Sequence, residues 1–174
     1  MKKYFTACAL LIAGNSVAAP DGTLTFSSNV VGTACVVNPT QNVVIEDIPT
    51  GMLLTVGSVV AARNFDIELS NCPSSIKSAK VKFEGTASSV DNTLFELDEP
   101  DSPNTAKGIG LQLRNNHSYN TGYINPNTES YSVTLDTTPG NINKLPFKVG
   151  YKVLNKEVQL GKANVTTQFT IVYP

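Results

Sequence analysis

The sequence predicts an all-β protein built as an antiparallel sandwich. Apolar and polar residues alternate with period two in segment after segment, the pattern of strands with one buried face. Turn residues interrupt these segments at short intervals and helical periodicity is almost absent, as in a sandwich. Charged residues make up only 16% of the chain. Thr, Ser, Asn, Val and Gly dominate the rest, a composition suited to an extracellular β protein.

The chain opens with a targeting peptide. Lys2 and Lys3 form a short basic start, residues 4–13 form an apolar run, and Ser16-Val17-Ala18 fits the small-x-small cleavage rule. Cleavage after Ala18 is preferred, because a cut after Ala19 would leave Pro20 beside the scissile bond. About ten apolar residues are too few to span a bilayer, and no later stretch is long enough. Removing residues 1–18 from the 174 leaves 156, one ordinary domain with room for a core. The expected organisation is a signal peptide over 1–18, an N-terminal extension over 19–31 and a single domain over 32–174.

Cys8 leaves with the leader. Cys35 and Cys72 remain, an even pair in an exported chain, and are predicted to form one disulfide. A loop of that length stabilises by about 3–4 kcal/mol in the loop-entropy model. A two-cysteine metal site lacks partners, since the chain has one histidine.

Residues 21–31, DGTLTFSSNVV, open the mature chain as an amphipathic strand. Gly22, Leu24, Phe26, Ser28 and Val30 share one face, and Thr23, Thr25, Ser27, Asn29 and Val31 the other. Cys35-Val36-Val37 runs into Asn38-Pro39, which breaks the ladder. Val43-Val44-Ile45 reads as a short strand ending at Pro49, and Thr50-Gly51 as a turn. Residues 53–62 fit a helix or a strand. Phe65, Ile67 and Leu69 alternate into a strand that stops at Asn71-Cys72-Pro73. Ala79, Val81 and Phe83 form the buried face of the next strand, ended by Gly85. Leu94-Phe95-Glu96-Leu97 reads as a short strand.

Residues 98–103 hold three carboxylates, but the prolines and missing glycine pivot do not fit a calcium loop; a solvated loop is expected. Residues 108–113 form a glycine-rich strand with no dinucleotide-binding context. Residues 115–128 form a long polar connection containing His117. Residues 131–136 alternate and are followed by the turn Thr138-Pro139-Gly140. Leu145, Phe147, Val149, Tyr151 and Val153 define the inner face of a longer strand. In the last strand Ala163, Val165, Thr167, Phe169, Ile171 and Tyr173 share a face.

Catalysis is not expected. The chain shows no nucleophile–base arrangement and no phosphate loop, and a Cu/Zn sandwich enzyme would need more histidines than His117. No cofactor is expected. With two lysines lost in the leader, net charge moves from −1 to −3. With no basic stripe, nucleic acid is not an expected partner.

The two ends suggest a different role. From Asn164 to Pro174 there is no charge, and the final strand is expected to leave an apolar edge open, a pairing hazard that monomers normally blunt. At the other end lies a detachable amphipathic strand. Pairing the two between molecules is β-strand addition. Being head-to-tail, it generates an open filament.

The chain resembles the pilus subunits of the chaperone–usher pathway, of the type 1 fimbrial kind. The resemblance rests on the leader, the alternating extension, Cys35, the Phe65-x-Ile67-x-Leu69-x-x-Cys72 strand and Gly108-Ile109-Gly110-Leu111-Gln112-Leu113. Gly161, fourteenth from the end, and the penultimate Tyr173 complete it. The resemblance implies an incomplete immunoglobulin-like sandwich lacking its last strand. Its partners would be neighbouring subunits, a periplasmic chaperone and an outer-membrane usher, with no membrane insertion and a place in the surface fimbrium. By the same match, Gly22, Leu24, Phe26, Ser28 and Val30 form the donor face. Phe169, Ile171, Tyr173 and Pro174 form the acceptor groove and chaperone contact. Ser28 departs from the family, whose extensions commonly carry Gly near that position. The short lead before Asp21 resembles adaptor subunits more than the rod subunit. A single-domain adhesin on the same scaffold, using Tyr119 and Tyr123 against a glycan or receptor, is the competing expectation.

Overall fold

The computed structural model describes residues 25–28 and 34–174, and the chain forms two units, Met1–Val30 and Val31–Pro174. In the first unit, Thr25, Phe26, Ser27 and Ser28 are exposed and outside any strand. The rest of the strand expected over 21–31 lies outside the described residues.

The second unit is an antiparallel sandwich. In chain order its strands are β1 (Val36–Val37), β2 (Val59–Ser70), β3 (Ser78–Glu84), β4 (Ile109–Asn115), β5 (Tyr123–Ile124), β6 (Val133–Thr134), β7 (Ile142–Val153) and β8 (Gln168–Val172). One sheet has the order β1-β2-β7-β4-β5 and the other β6-β3-β8. Among the described residues the only helical turn is a 3-10 turn at Thr50–Met52. This is the incomplete immunoglobulin-like sandwich expected from the sequence.

Strand β7 is the spine of the larger sheet. It pairs with β2 from Val59↔Lys152 to Ser70↔Ile142, and with β4 from Ile109↔Val153 to Asn115↔Phe147. Its alternate residues Leu145, Phe147, Val149, Tyr151 and Val153 are all buried. They meet Ile67 and Leu69 of β2, Leu111 and Leu113 of β4, and Val81 and Phe83 of the opposite sheet in one core. Phe83 stands edge-on to Phe147, ring centroids 5.0 Å apart, joining the two sheets. Each such side chain stabilises by about 1.5–3 kcal/mol when fully buried.

The β1–β2 register explains the disulfide. Val36 faces Ser70, so the chain just before β1 meets the chain just after β2. Cys35 and Cys72 are bonded there. Residues 53–62 resolve into a turn, with Gly57 at φ 85°, followed by the start of β2. A register shift between Val60 and Arg63 accompanies Ala61 at φ 50°.

Three expectations need correction. Val43-Val44-Ile45 is not a strand. Val43 and Ile45 are half-buried and Val44 is exposed, so the alternation persists, but no neighbouring backbone completes a ladder. Leu94-Phe95-Glu96-Leu97 forms only isolated bridges, Phe95 to Ala87 and Leu111. Leu94 and Phe95 are both fully buried, which a flat strand with one wet face does not allow. Residues 115–128 are not all connection, because β5 pairs back onto β4 through Leu113↔Ile124 and Arg114↔Tyr123.

Candidate functional site

An elongated groove of about 1270 Å³ opens on one side of the sandwich. Its floor is apolar core: Phe65, Ile67, Phe83, Leu111, Val149 and Tyr151. One wall is residues 39–48 and the other is residues 158–169. The groove therefore lies where the two sheets part, between the segment after β1 and the segment leading into β8.

Both walls keep strand-like alternation, and each has a stretch without a strand partner: residues 41–48 on one, and on the other the stretch around Val165 and Thr167, between the bridges of Gln159 to Lys107 and Lys162 to Thr105 and the start of β8. On one, Val43, Ile45 and Ile48 pack against the core while Val44 and Glu46 face out. On the other, Ala163, Val165, Thr167 and Phe169 are half-buried and the residues between them exposed. Among the described residues, 41–48 make no backbone–backbone hydrogen bond, and neither do Val165 and Thr167. Backbone N–H and C=O groups are obligatory hydrogen-bonding groups. Two such walls over an apolar floor fit one object, an extended peptide that supplies backbone partners and alternate apolar side chains.

The 158–169 wall is held from its other side. Asp98 N–H donates to the Asn164 carbonyl at 2.8 Å. The Asp98 carboxylate accepts from Thr166 N–H at 2.9 Å and from Thr166 Oγ1 at 2.8 Å. Asn164 and Thr166 thus turn their backbone groups toward Asp98. Successive residues of an extended chain point opposite ways, which leaves Val165 and Thr167 directed at the groove. Tyr151 Oη donates to the Ala163 carbonyl from the floor. Burial first, and then the negative charge of Asp98, push the Tyr151 phenol above its ordinary value, so it stays a neutral donor.

Gly161 sits where the wall crosses residues 104–106. A Cβ there would lie 2.6 Å from Asn104 O, Thr105 C and Ala106 N. Only glycine allows that crossing.

Of the residues assigned from the sequence, Phe169 lines the groove. Ile171 is half-buried in β8 opposite Val81, and Tyr173 is half-buried with its hydroxyl accepting from Cys35 N–H at 3.0 Å. Pro174 is exposed. Those three lie outside the groove lining. Phe26 and Ser28 are exposed, whereas Gly22, Leu24 and Val30 fall outside the described residues. The 39–48 wall was not assigned to the site from the sequence, although the alternation of Val43 and Ile45 was the signal for it.

Other candidate chemistry is accounted for. Among the described residues, no group of three or more His, Cys, Asp and Glu side chains is placed to hold a metal ion. The His117 ring lies near those of Tyr119 and Tyr131, centroids 5.4 and 5.9 Å away.

The model of the family described as "Fimbrial protein" matches residues 24–174. The chain is 26% identical to "Fimbrial subunit type 1" of Salmonella typhimurium, over 98% of this chain and 92% of that one. It is 31% identical to "Fimbrial subunit ElfA" of Escherichia coli K12, over 96% of this chain and 92% of that one. In fold it is similar to the solved P pilus rod subunit PapA, with a TM-score of 0.65 and 16% identity over 82% of this chain and all of that one.

Proposed function

The chain belongs to the fimbrial protein family, whose members are structural subunits rather than enzymes, and from that premise we propose that it polymerises by donor-strand exchange. The observation that carries this reading is a groove whose two walls leave residues 41–48, and Val165 and Thr167, without backbone partners over an apolar floor. Each subunit receives in that groove the extension of another subunit and offers its own extension to a third. The contact is head-to-tail, so it propagates into a fibre and does not close.

In this reading residues 19–31 are the donor segment, residues 32–174 the pilin domain and residues 1–18 the signal peptide. Gly22, Leu24, Phe26, Ser28 and Val30 face the floor of the neighbour's groove. Burying Leu24, Phe26 and Val30 contributes about 1.5–3 kcal/mol each, roughly 5–9 kcal/mol before the ladder hydrogen bonds. A one-residue slip would present Thr23, Thr25 and Ser27 to that floor, so the register is specified. During passage through the periplasm a chaperone strand occupies the groove, and an outer-membrane usher exchanges it for the next subunit's extension. The short lead before Asp21 supports a minor or adaptor position.

The test appends a copy of residues 19–31 after Pro174 through a flexible linker. The expected product is a soluble, chaperone-independent monomer with a cooperative unfolding transition. A parent chain that is already a stable monomer without chaperone would sink the proposal.

A further inference from the structure

The outward face of the larger sheet carries an arrangement that the groove does not use. Three lysines of β7 share this face: Lys144, Lys148 and Lys152. Lys144 pairs with Glu68 at 3.2 Å and reaches Asp66 at 3.9 Å. Lys152 pairs with Asp91 at 2.9 Å. Lys148 has no carboxylate within salt-bridge distance among the described residues. Its direct cross-strand partner on β4 is Arg114, a second cation likewise without one. Asp66, diagonal to Lys148, is the carboxylate that Lys144 reaches.

Like charges placed directly opposite each other destabilise a sheet. Here the repulsion is left uncompensated at one position, while the other two lysines of the same strand are neutralised. The register continues the row on both sides. Tyr123 of β5 lies opposite Arg114, its side chain 66% exposed, and Asn64 of β2 lies opposite Lys148. The row Asn64–Lys148–Arg114–Tyr123 crosses four adjacent strands, roughly 14 Å at ordinary strand spacing.

We propose that this row is a binding site for an acidic saccharide. The paired cations hold its carboxylate or sulfate group, the guanidinium supplying a planar fork of donors. The exposed Tyr123 ring offers an apolar face with a polar tip to a neighbouring sugar. The Asn64 amide donates and accepts at the far end. A single pair of cations on a chain of net charge −1 suits one anionic group on an oligosaccharide and does not suit a long polyanion such as nucleic acid. The site faces away from the groove, so binding is independent of strand exchange.

Binding is measured by calorimetry on the soluble chain carrying the appended donor strand, with a heparin-derived sulfated tetrasaccharide, with sialyllactose and with neutral lactose. One or both acidic sugars bind and lactose does not; which of the two binds separates sulfate from carboxylate recognition. Arg114→Gln and Lys148→Gln each weaken binding by about tenfold or more, the loss of one charge-assisted contact. Lys144→Gln, which removes a cation already paired, changes it by less than about twofold. Arg114→Gln and Lys148→Gln, which relieve the repulsion, keep or slightly raise the parent's thermal midpoint, so weaker binding in them is not a loss of folding. Binding of none of the sugars, equal binding of lactose, or an equal loss in Lys144→Gln overturns the assignment. Self-association of the chain that Arg114→Gln abolishes, with no sugar bound, would assign the row to a protein contact instead.

Discussion

Asp98 grips Thr166 twice, accepting its backbone N–H at 2.9 Å and its hydroxyl at 2.8 Å. This clamp holds the wall of the groove from behind, with Asp98 N–H on the Asn164 carbonyl. The carboxylate predicted to be a solvated loop residue therefore shapes the site. Asp98→Ala removes two charge-assisted contacts and lets the wall drift. A synthetic peptide of residues 19–31 is expected to bind about tenfold more weakly, with Asp98→Asn intermediate. Fluorescence anisotropy of the labelled peptide checks this.

Phe26 is 87% exposed, and in the strand exchange proposed above it would be the largest side chain of the donor face. Phe26→Asp replaces a buried ring with a charge in a neighbour's apolar groove, which is prohibitive when unpaired. The variant is expected to fail to enter fibres, as seen by electron microscopy and boiling-resistant ladders, yet to co-purify with its chaperone at the parent level. Incorporation at the parent rate would remove Phe26 from the donor face.

Gly161 is surrounded by the backbone of residues 104–106. A methyl group at 2.6 Å from three backbone atoms cannot be relieved by a side-chain rotation, so the wall itself must move. Gly161→Ala is expected to cost about 2 kcal/mol or more, read from urea unfolding of the chain carrying the appended donor strand.

The acid limb of stability is expected to involve Asp91. Its carboxyl is held down to about 2, first by the Thr93 hydroxyl, then by the Lys152 ammonium and the Thr93 N–H. The unfolded chain titrates near 3.9. A depressed carboxyl contributes stability above its unfolded value and loses it as pH falls toward its folded value. Asp91→Asn should therefore flatten the stability profile between about pH 4 and pH 2. Glu84, through Lys82, and Asp136, through Thr138, are also lowered, so some acid sensitivity remains. Thermal midpoints across that pH range test it.

Much of the sandwich was legible residue by residue. Ala79, Val81 and Phe83, and the five inward residues of β7, alternate because a pleated strand with one wet face demands it. That demand is local. The Cys35–Cys72 bond was legible from cysteine count and an exported chain. The groove was legible only at Phe169. Its other wall, residues 41–48, carries the same apolar alternation as a strand, and only the absence of a neighbour within hydrogen-bonding reach separates the two. The burial of Leu94 and Phe95 side by side, the return of β5 onto β4 and the clamp of Asp98 on Thr166 likewise depend on what lies across the fold.

The sequence by itself determined which residues point inward, where the chain turns and that an amphipathic segment precedes the domain, because period and turn chemistry are properties of neighbours along the chain. The tertiary structure alone decided which backbone is left unpaired, and that Lys148 stands beside Arg114 while Lys144 and Lys152 find carboxylates. Those are matters of register between strands far apart in sequence, and no local pattern encodes them.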